Sequence, residues 1–276
     1  MIERTRGIDN NEFLSDNQKL SLSTLAEEIS NYYFPEGIIY PEKIAADSGI
    51  TFSYGNYGDA FDGLIECLSH EFHIYVNIDR LVHSQTTRAR FTFAHELGHY
   101  FIDHHRNALK IGRSPSHCSK TGFVSRNLAE READFFASCL LLPETRFKMH
   151  CHKRKFSFEL IDELAKKYQT SFTSTALRFT AIGNHPIMVV LSYKSAVKWY
   201  WSSHDFPYKS LLHGKGKVPE DTVAGEYFSK NRSPNSKQQV FAMDWFKNVW
   251  ESATYRKFYE QCVYHKDYVL SIIWED

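Results

Sequence analysis

The chain of 276 residues is short of several things, and each shortage narrows the choice. It has no net charge: 33 Lys and Arg balance 33 Asp and Glu. A neutral chain has no global drive toward nucleic acid or an anionic membrane, although a local basic patch stays open. No run of about 18 apolar residues occurs, so no transmembrane helix is expected. The opening MIERTRGIDNNEFLSDN lacks an apolar core of signal-peptide length. The five cysteines, Cys67, Cys118, Cys139, Cys151 and Cys262, are odd in number and show no CxxC spacing. They read as reduced thiols of a cytoplasmic protein, which excludes a disulfide framework or a zinc ribbon. There is no internal repeat and no long low-complexity tract.

What is present is material for a core: 42% hydrophobic and 15% aromatic residues. That is enough for one large domain or two modest ones. Residues 1–17 are polar and read as a disordered tail. QKLSLSTLAEEISNYY (18–33) has helical spacing, and PEKIAADSG is a second short helix with Pro41 in its first turn and Gly49 at its end. The stretch TFSYGNYGDAFDGLIECLSHEFHIYVNI predicts short strands broken by Gly-containing turns. Phe72 to Ile78 alternates as an edge or half-buried strand does. Residues 86–102 form a helix with Thr86 or Thr87 as N-cap, and residues 126–142 form another, stopped by Pro143. Two more helices follow in 157–182, joined by a short turn. After Gly183 the texture becomes aromatic and strand-rich, with VFAMDWFKNVW and DYVLSIIWE read as strands.

The chemistry concentrates in FTFAHELGHYF. His95 and His99, four apart, share one face of a helix and suit one zinc ion. Glu96, about 100° away, can take a proton from water activated there. With 14 histidines in the chain, a chance H-E-x-x-H has odds of about one in twenty, so the surroundings must decide. Three polar groups among Phe91, Phe93, Ala94, Phe101 and Ile102 are costly to bury unless they share partners or a metal. Gly98 costs about 1 kcal/mol relative to Ala in a helix, which is understandable where something packs close against that turn. A third ligand is needed, and three candidates stand. In a continuing helix, His105 points about 240° from His99, and His104 with His105 reads as a solvated helix end. HCHKRK (150–155) has metal-like composition in a basic loop. In LAEREADFFASCLLLP, Glu130 and Asp134 lie one turn apart. Glu130 could complete the site while Asp134 holds a ligand histidine by its other ring nitrogen. Spacing alone leaves Glu130 and Glu132 both open.

FTFAHELGHYFIDHH followed by EREADFFASCLLLP resembles the ImmA/IrrE family of bacterial zinc metallopeptidases. The resemblance extends upstream through PEKIAADSGITF, FDGLI and HIYVNI, and downstream to MVVLSYKSAVKWYWSSHDFPY and VLSIIW. It implies an α+β fold: a zincin-like metallopeptidase domain with an HExxH helix and a small sheet, then helices and a β-rich C-terminal region. It implies Zn²⁺ held by His95, His99 and Glu130, with Glu96 as catalytic base and Asp134 at the family's Asp/Asn position. It also implies a protein substrate, a helix-turn-helix (XRE-type) repressor whose cleavage relieves repression in a stress response, mobile element or defence system.

The expected organisation is a tail at 1–17, the metallopeptidase domain at 18–183 and a β-rich domain at 184–276. The chain leaves no room for a DNA-binding domain before residue 20, so a separate partner is expected. Within 18–183, the segment 144–183 looks like a helix-turn-helix, with Leu160, Leu164 and Leu177 as core positions and Arg146, Lys148, Lys153, Arg154 and Lys155 just before it. DNA binding by this segment is the less favoured reading, because its second helix offers few donors for base edges. An extended substrate is expected to add along a strand edge in 51–78. The competing function is a non-catalytic zinc-containing sensor or regulator. That reading needs a closed, four-ligand shell, for which His117 and Cys118 are the nearest candidates.

Overall fold

The computed structural model describes residues 14–81, 86–112, 116–119 and 127–276, with the side chains of 80, 81 and 116–119 excepted. Most of the expected tail lies outside these residues, as do the side chains of His117 and Cys118. The chain divides into two compact units: Met1–Arg146 with Lys166–Ser171, and Phe147–Ala165 with Phe172–Asp276. Most of the segment after Arg146 that the sequence assigns to the first domain is thus grouped with the second unit.

The first unit opens with α1 (Asp16–Tyr33), which starts two residues earlier than its spacing suggests. The reason is a capping box: Ser15 accepts from Gln18 N, and the Gln18 side chain accepts from Ser15 N. α2 (Pro41–Asp47) follows. Then come β1 (Thr51–Gly55), β2 (Gly63–Leu68), β3 (Glu71–Asn77) and the short α3 (Ile78–Leu81). The β2–β3 hairpin turns on Ser69 and His70, both with positive φ (50° and 68°), which is a two-residue turn made without glycine. α4 (Thr87–Phe101) carries the H-E-x-x-H residues, with Thr86 capping Ala89 N. α5 (Asp103–Lys110), β4 (Ser116–Ser119) and α6 (Leu128–Leu141) complete the unit.

The sheet order is β1-β3-β2-β4, with β1 parallel to β3 and the other pairs antiparallel. β3 is therefore an interior strand, not an edge, and its buried Phe72, Ile74 and Val76 face the core. Within 51–78 only β1 lies at an edge of this sheet. α4 packs on α6, and α1 packs on α6 as well. Ala26, Ile44, Ile65, Ile74, Phe93, Leu97, Phe136 and Leu140 belong to one apolar core.

The second unit contains α7 (Glu144–Cys151) from Phe147 onward, most of α8 (Phe158–Tyr168), and α9 (Phe172–Ile182). Leu160 and Leu164 are buried as expected. Leu177 is only half-buried, and Ala176 and Phe179 fill that side of α9 instead. β5 (Ile187–Tyr193), β6 (Ala196–Ser202), α10 (Val223–Lys230), β7 (Gln238–Phe241), α11 (Ala242–Trp245), β8 (Lys257–His265) and β9 (Tyr268–Trp274) follow. They build an antiparallel sheet ordered β6-β5-β9-β8-β7. VFAMDWFKNVW is not one strand: it turns helical at Ala242, where the Asp244 carboxylate accepts from Phe241 N. The Glu260 side chain is fully buried on β8. It accepts from Val223 N and Ala224 N at the start of α10, from Trp245 Nε1 and from Ser271 Oγ. Mixed helix and sheet in this arrangement is an α+β chain.

Candidate metal centre

Helical spacing brings the two histidines together as anticipated. His95 Nε2 and His99 Nε2 face each other at 3.2 Å, both in fully buried rings. α6 crosses α4 at Gly98. A Cβ built there would stand 3.1 Å from Phe136 Cδ1 and 3.2 Å from the Ala133 Cα, so glycine is what lets the helices approach. That approach delivers Glu130 from α6. Its Oε2 lies 3.4 Å from His95 Nε2, and its Oε1 lies 3.5 Å from His99 Nε2.

The donor set can be tested against a zinc-type ion. Tetrahedral bonds of about 2.0–2.1 Å require ligand atoms about 3.3–3.4 Å apart. The two imidazole nitrogens are 3.2 Å apart, and each lies 3.4–3.5 Å from one of the two Glu130 oxygens, close to that range. The protonation pattern fits as well. Asp134 Oδ1 is 2.8 Å from His95 Nδ1. An ionised carboxylate only accepts, so it holds the proton on Nδ1 and leaves the Nε2 lone pair turned inward. Two imidazole lone pairs and a carboxylate converging on one point repel each other unless a proton or a metal cation sits among them. Burial alone would lower the His95 pKa, but hydrogen bonds to Asp134 and Glu130 outweigh it and raise it to about 10 in the metal-free site, where Nε2 carries the proton that a metal ion would displace. The charge of Glu96 acts in the same direction, which places that carboxylate within electrostatic reach of His95.

Glu96 itself is buried against the start of β2. A Cβ built on Gly63 would fall 2.5 Å from Glu96 Oε1 and 2.6 Å from Thr92 Cγ2. A side chain at this strand position would have to displace the carboxylate and press on Thr92. In the sequence this contact leaves only one trace, the glycine that opens a strand in F-D-G-L-I.

A larger departure concerns His105. The helix does not continue past Phe101: Ile102 is extended (φ −77°, ψ 112°), and α5 restarts at Asp103. The break swings His105 back under His99. It is buried rather than solvated, with its Nδ1 3.2 Å from His99 Nδ1. Glu132 also gains a place, though not beside His95. Its Oε2 lies 2.9 Å from both His104 Nε2 and His105 Nε2, and its Oε1 accepts from Gln18 Nε2 at 3.1 Å. Burial pushes the Glu132 pKa up, but hydrogen bonds from His104 and His105 prevail and hold it below the usual carboxylate range. Among the described residues, His95–His99–Glu130 and His104–His105–Glu132 are the two groups of three metal-type donors. His150 and His152 belong to neither group.

Residues 74–180 match the family model Peptidase_M78, described as the IrrE N-terminal-like domain. Among curated proteins, none matches the chain. Among solved structures, a Mycobacterium tuberculosis transcriptional regulator is similar in fold. The identity is 14% and the TM-score 0.61, over 97% of this chain and 78% of that one.

Proposed function

Because residues 74–180 belong to the Peptidase_M78 family as an IrrE N-terminal-like domain, we propose that the chain is a zinc-dependent endopeptidase. The observation that carries this reading is the convergence of His95 Nε2, His99 Nε2 and the Glu130 carboxylate at tetrahedral spacing, beside a buried Glu96. His95, His99 and Glu130 would hold the ion. When bound, a zinc ion supplies Lewis-acid polarisation of the scissile carbonyl and makes water a nucleophile at neutral pH.

The protein groups do the rest. Glu96 accepts a proton from the attacking water and returns it to the leaving amine. Its carboxylate sits in a buried wall formed by Thr92 and Gly63, which limits the positions it can take. Asp134 orients His95 through Nδ1. Three protein ligands leave room for substrate, which is the coordination expected of catalysis rather than of a structural site.

The substrate in this reading is a helix-turn-helix repressor. The support is the resemblance of FTFAHELGHYFIDHH and EREADFFASCLLLP to the ImmA/IrrE family, for which such substrates are implied. No described helix is long and apolar enough to cross a membrane, which is compatible with a cytoplasmic partner. The test is Glu96→Gln with a helix-turn-helix repressor encoded beside this chain's own gene. Zinc should stay bound at one ion per chain while the single discrete cut disappears. Cleavage retained by Glu96→Gln would remove the base from its role. Zinc held in a closed four-ligand shell would favour a non-catalytic sensor.

A further inference from the structure

The His104–His105–Glu132 group could be read as a second cation site, but its distances argue otherwise. Both Nε2–Oε2 separations are 2.9 Å, ordinary hydrogen-bond lengths and shorter than the 3.2–3.5 Å of the His95–His99–Glu130 set. What the group does have is a direct line to His99. That ring faces His95 and Glu130 with Nε2 and faces His105 with Nδ1, at 3.2 Å.

We propose that His105 and Glu132 are the positioning pair of His99, a two-residue counterpart of the single carboxylate that Asp134 presents to His95. This rests on the reading of His99 as a metal ligand. The proton positions follow from one fixed point. The ionised Glu132 carboxylate only accepts, so His105 carries its proton on Nε2 and donates it to Oε2. His105 Nδ1 then has a lone pair. It accepts the Nδ1 proton of His99, and His99 is left with its Nε2 lone pair aimed at His95 and Glu130. A chain of this kind also polarises: negative charge at its far end makes the ligand nitrogen more basic.

The far end is itself anchored. Gln18 donates through Nε2 to Glu132 Oε1, while its own Oε1 accepts from Ser15 N at the start of α1. The extended residue Ile102 is what makes the arrangement possible, since an unbroken helix would carry His105 to another face. The two ligand histidines of one helix are thus held by different devices. His95 is gripped directly from α6, and His99 is gripped through a histidine of α5 that α6 and α1 hold in turn.

The test is zinc affinity, measured by competition with a chromophoric chelator, alongside thermal unfolding of the metal-free proteins. His105→Leu removes the acceptor for His99 Nδ1–H and should weaken zinc binding about 10- to 100-fold, the usual loss for such a partner. His105→Asn presents an amide oxygen near the same point and should recover most of that affinity. Glu132→Gln removes the charge and should fall between the two. Equal affinity in the wild type and His105→Leu would overturn the proposal. So would an equal loss in the Leu and Asn variants that tracks lowered metal-free stability, because that is the mark of packing. Should His105→Leu fail to fold, wild-type affinity in Glu132→Gln would still overturn it. Two zinc ions per chain, falling to one in His104→Ala, would make the pair ligands instead and overturn it too. A wild-type chain that binds no zinc would sink the metallopeptidase reading itself, which is a separate outcome.

Discussion

Gly63 offers a way to move the Glu96 carboxylate without touching its chemistry. In Gly63→Ala the new methyl would start 2.5 Å from Glu96 Oε1 and 2.6 Å from Thr92 Cγ2. Ordinary contact begins near 3.4 Å, so one side must yield by about 0.9 Å, and misplacement on that scale can cost about a hundredfold in rate. Thr92 is β-branched and stiff at χ1, on a helix that is buried at this point. The flexible end is the glutamate, so the carboxylate gives way on its side, while the Thr92 contact is relieved by a small shift of the strand. The backbone itself has no need of glycine. Gly63 is absent from the positive-φ positions, and it opens a strand, where alanine is the better residue. The variant should therefore fold with some loss of stability and still bind zinc, because the atoms nearest the new methyl belong to Glu96 and Thr92 and not to His95, His99 or Glu130. Its kcat should fall about 10- to 100-fold, equivalent to about 1.4–2.7 kcal/mol on the barrier. A proteome-derived peptide library read by mass spectrometry would supply a cleavable sequence, and kcat on that peptide is the assay. An unchanged kcat with unchanged zinc content would refute the claim that this contact sets the position of Glu96.

Other consequences can be measured in parallel. Gly98→Ala gains helix propensity of about 1 kcal/mol but presses on Ala133 Cα at 3.2 Å. It should shift α6 by a few tenths of an ångström and weaken zinc binding in chelator competition. Asp134→Asn keeps an acceptor for His95 Nδ1 but loses the charge, so zinc affinity should drop about tenfold in the same assay. In the second unit, Glu260→Ala would strand the amides of Val223 and Ala224 and the Trp245 indole N–H, and thermal unfolding should show a loss above about 3 kcal/mol. Burial is the largest influence on Glu260 and raises its pKa in the fold. Its contribution to stability is therefore full below the unfolded pKa of about 4.3 and is lost as pH rises through the folded value. Relative to wild type, Glu260→Gln should gain stability as pH rises, and unfolding curves from pH 4 to 8 would show it.

Much of the first unit can be read from residue order because its signals are local. The N-cap at Thr86, the four-residue spacing of His95 and His99, and the stop at Pro143 each act within a few positions. Gly98 could be read as a point of close approach, and it is one, although the sequence does not say which helix arrives there. Spacing alone left Glu130 and Glu132 undecided. Both face histidines, Glu130 beside His95 and Glu132 beside His105, and periodicity alone cannot say which goes where. His105 is buried instead of solvated because one extended residue, Ile102, changes where every later side chain points. The local trace was Asp103 directly after Ile102, an acidic first-turn residue that marks a helix start. The hairpin turns at Ser69–His70 and Lys194–Ser195 lack glycine, so their positive φ values are invisible to turn rules that look for it. The Gly63 contact joins positions 33 residues apart in sequence, and no local pattern carries such a pairing.

The central claim is that one zinc ion sits among His95, His99 and Glu130. Anomalous diffraction at the zinc absorption edge, on crystals of the zinc-loaded protein, tests it most directly. A single strong peak is expected about 2.0–2.2 Å from His95 Nε2, His99 Nε2 and a Glu130 oxygen, with no fourth protein ligand. A peak at His104, His105 and Glu132 instead, or no peak between the two rings of α4, would contradict it.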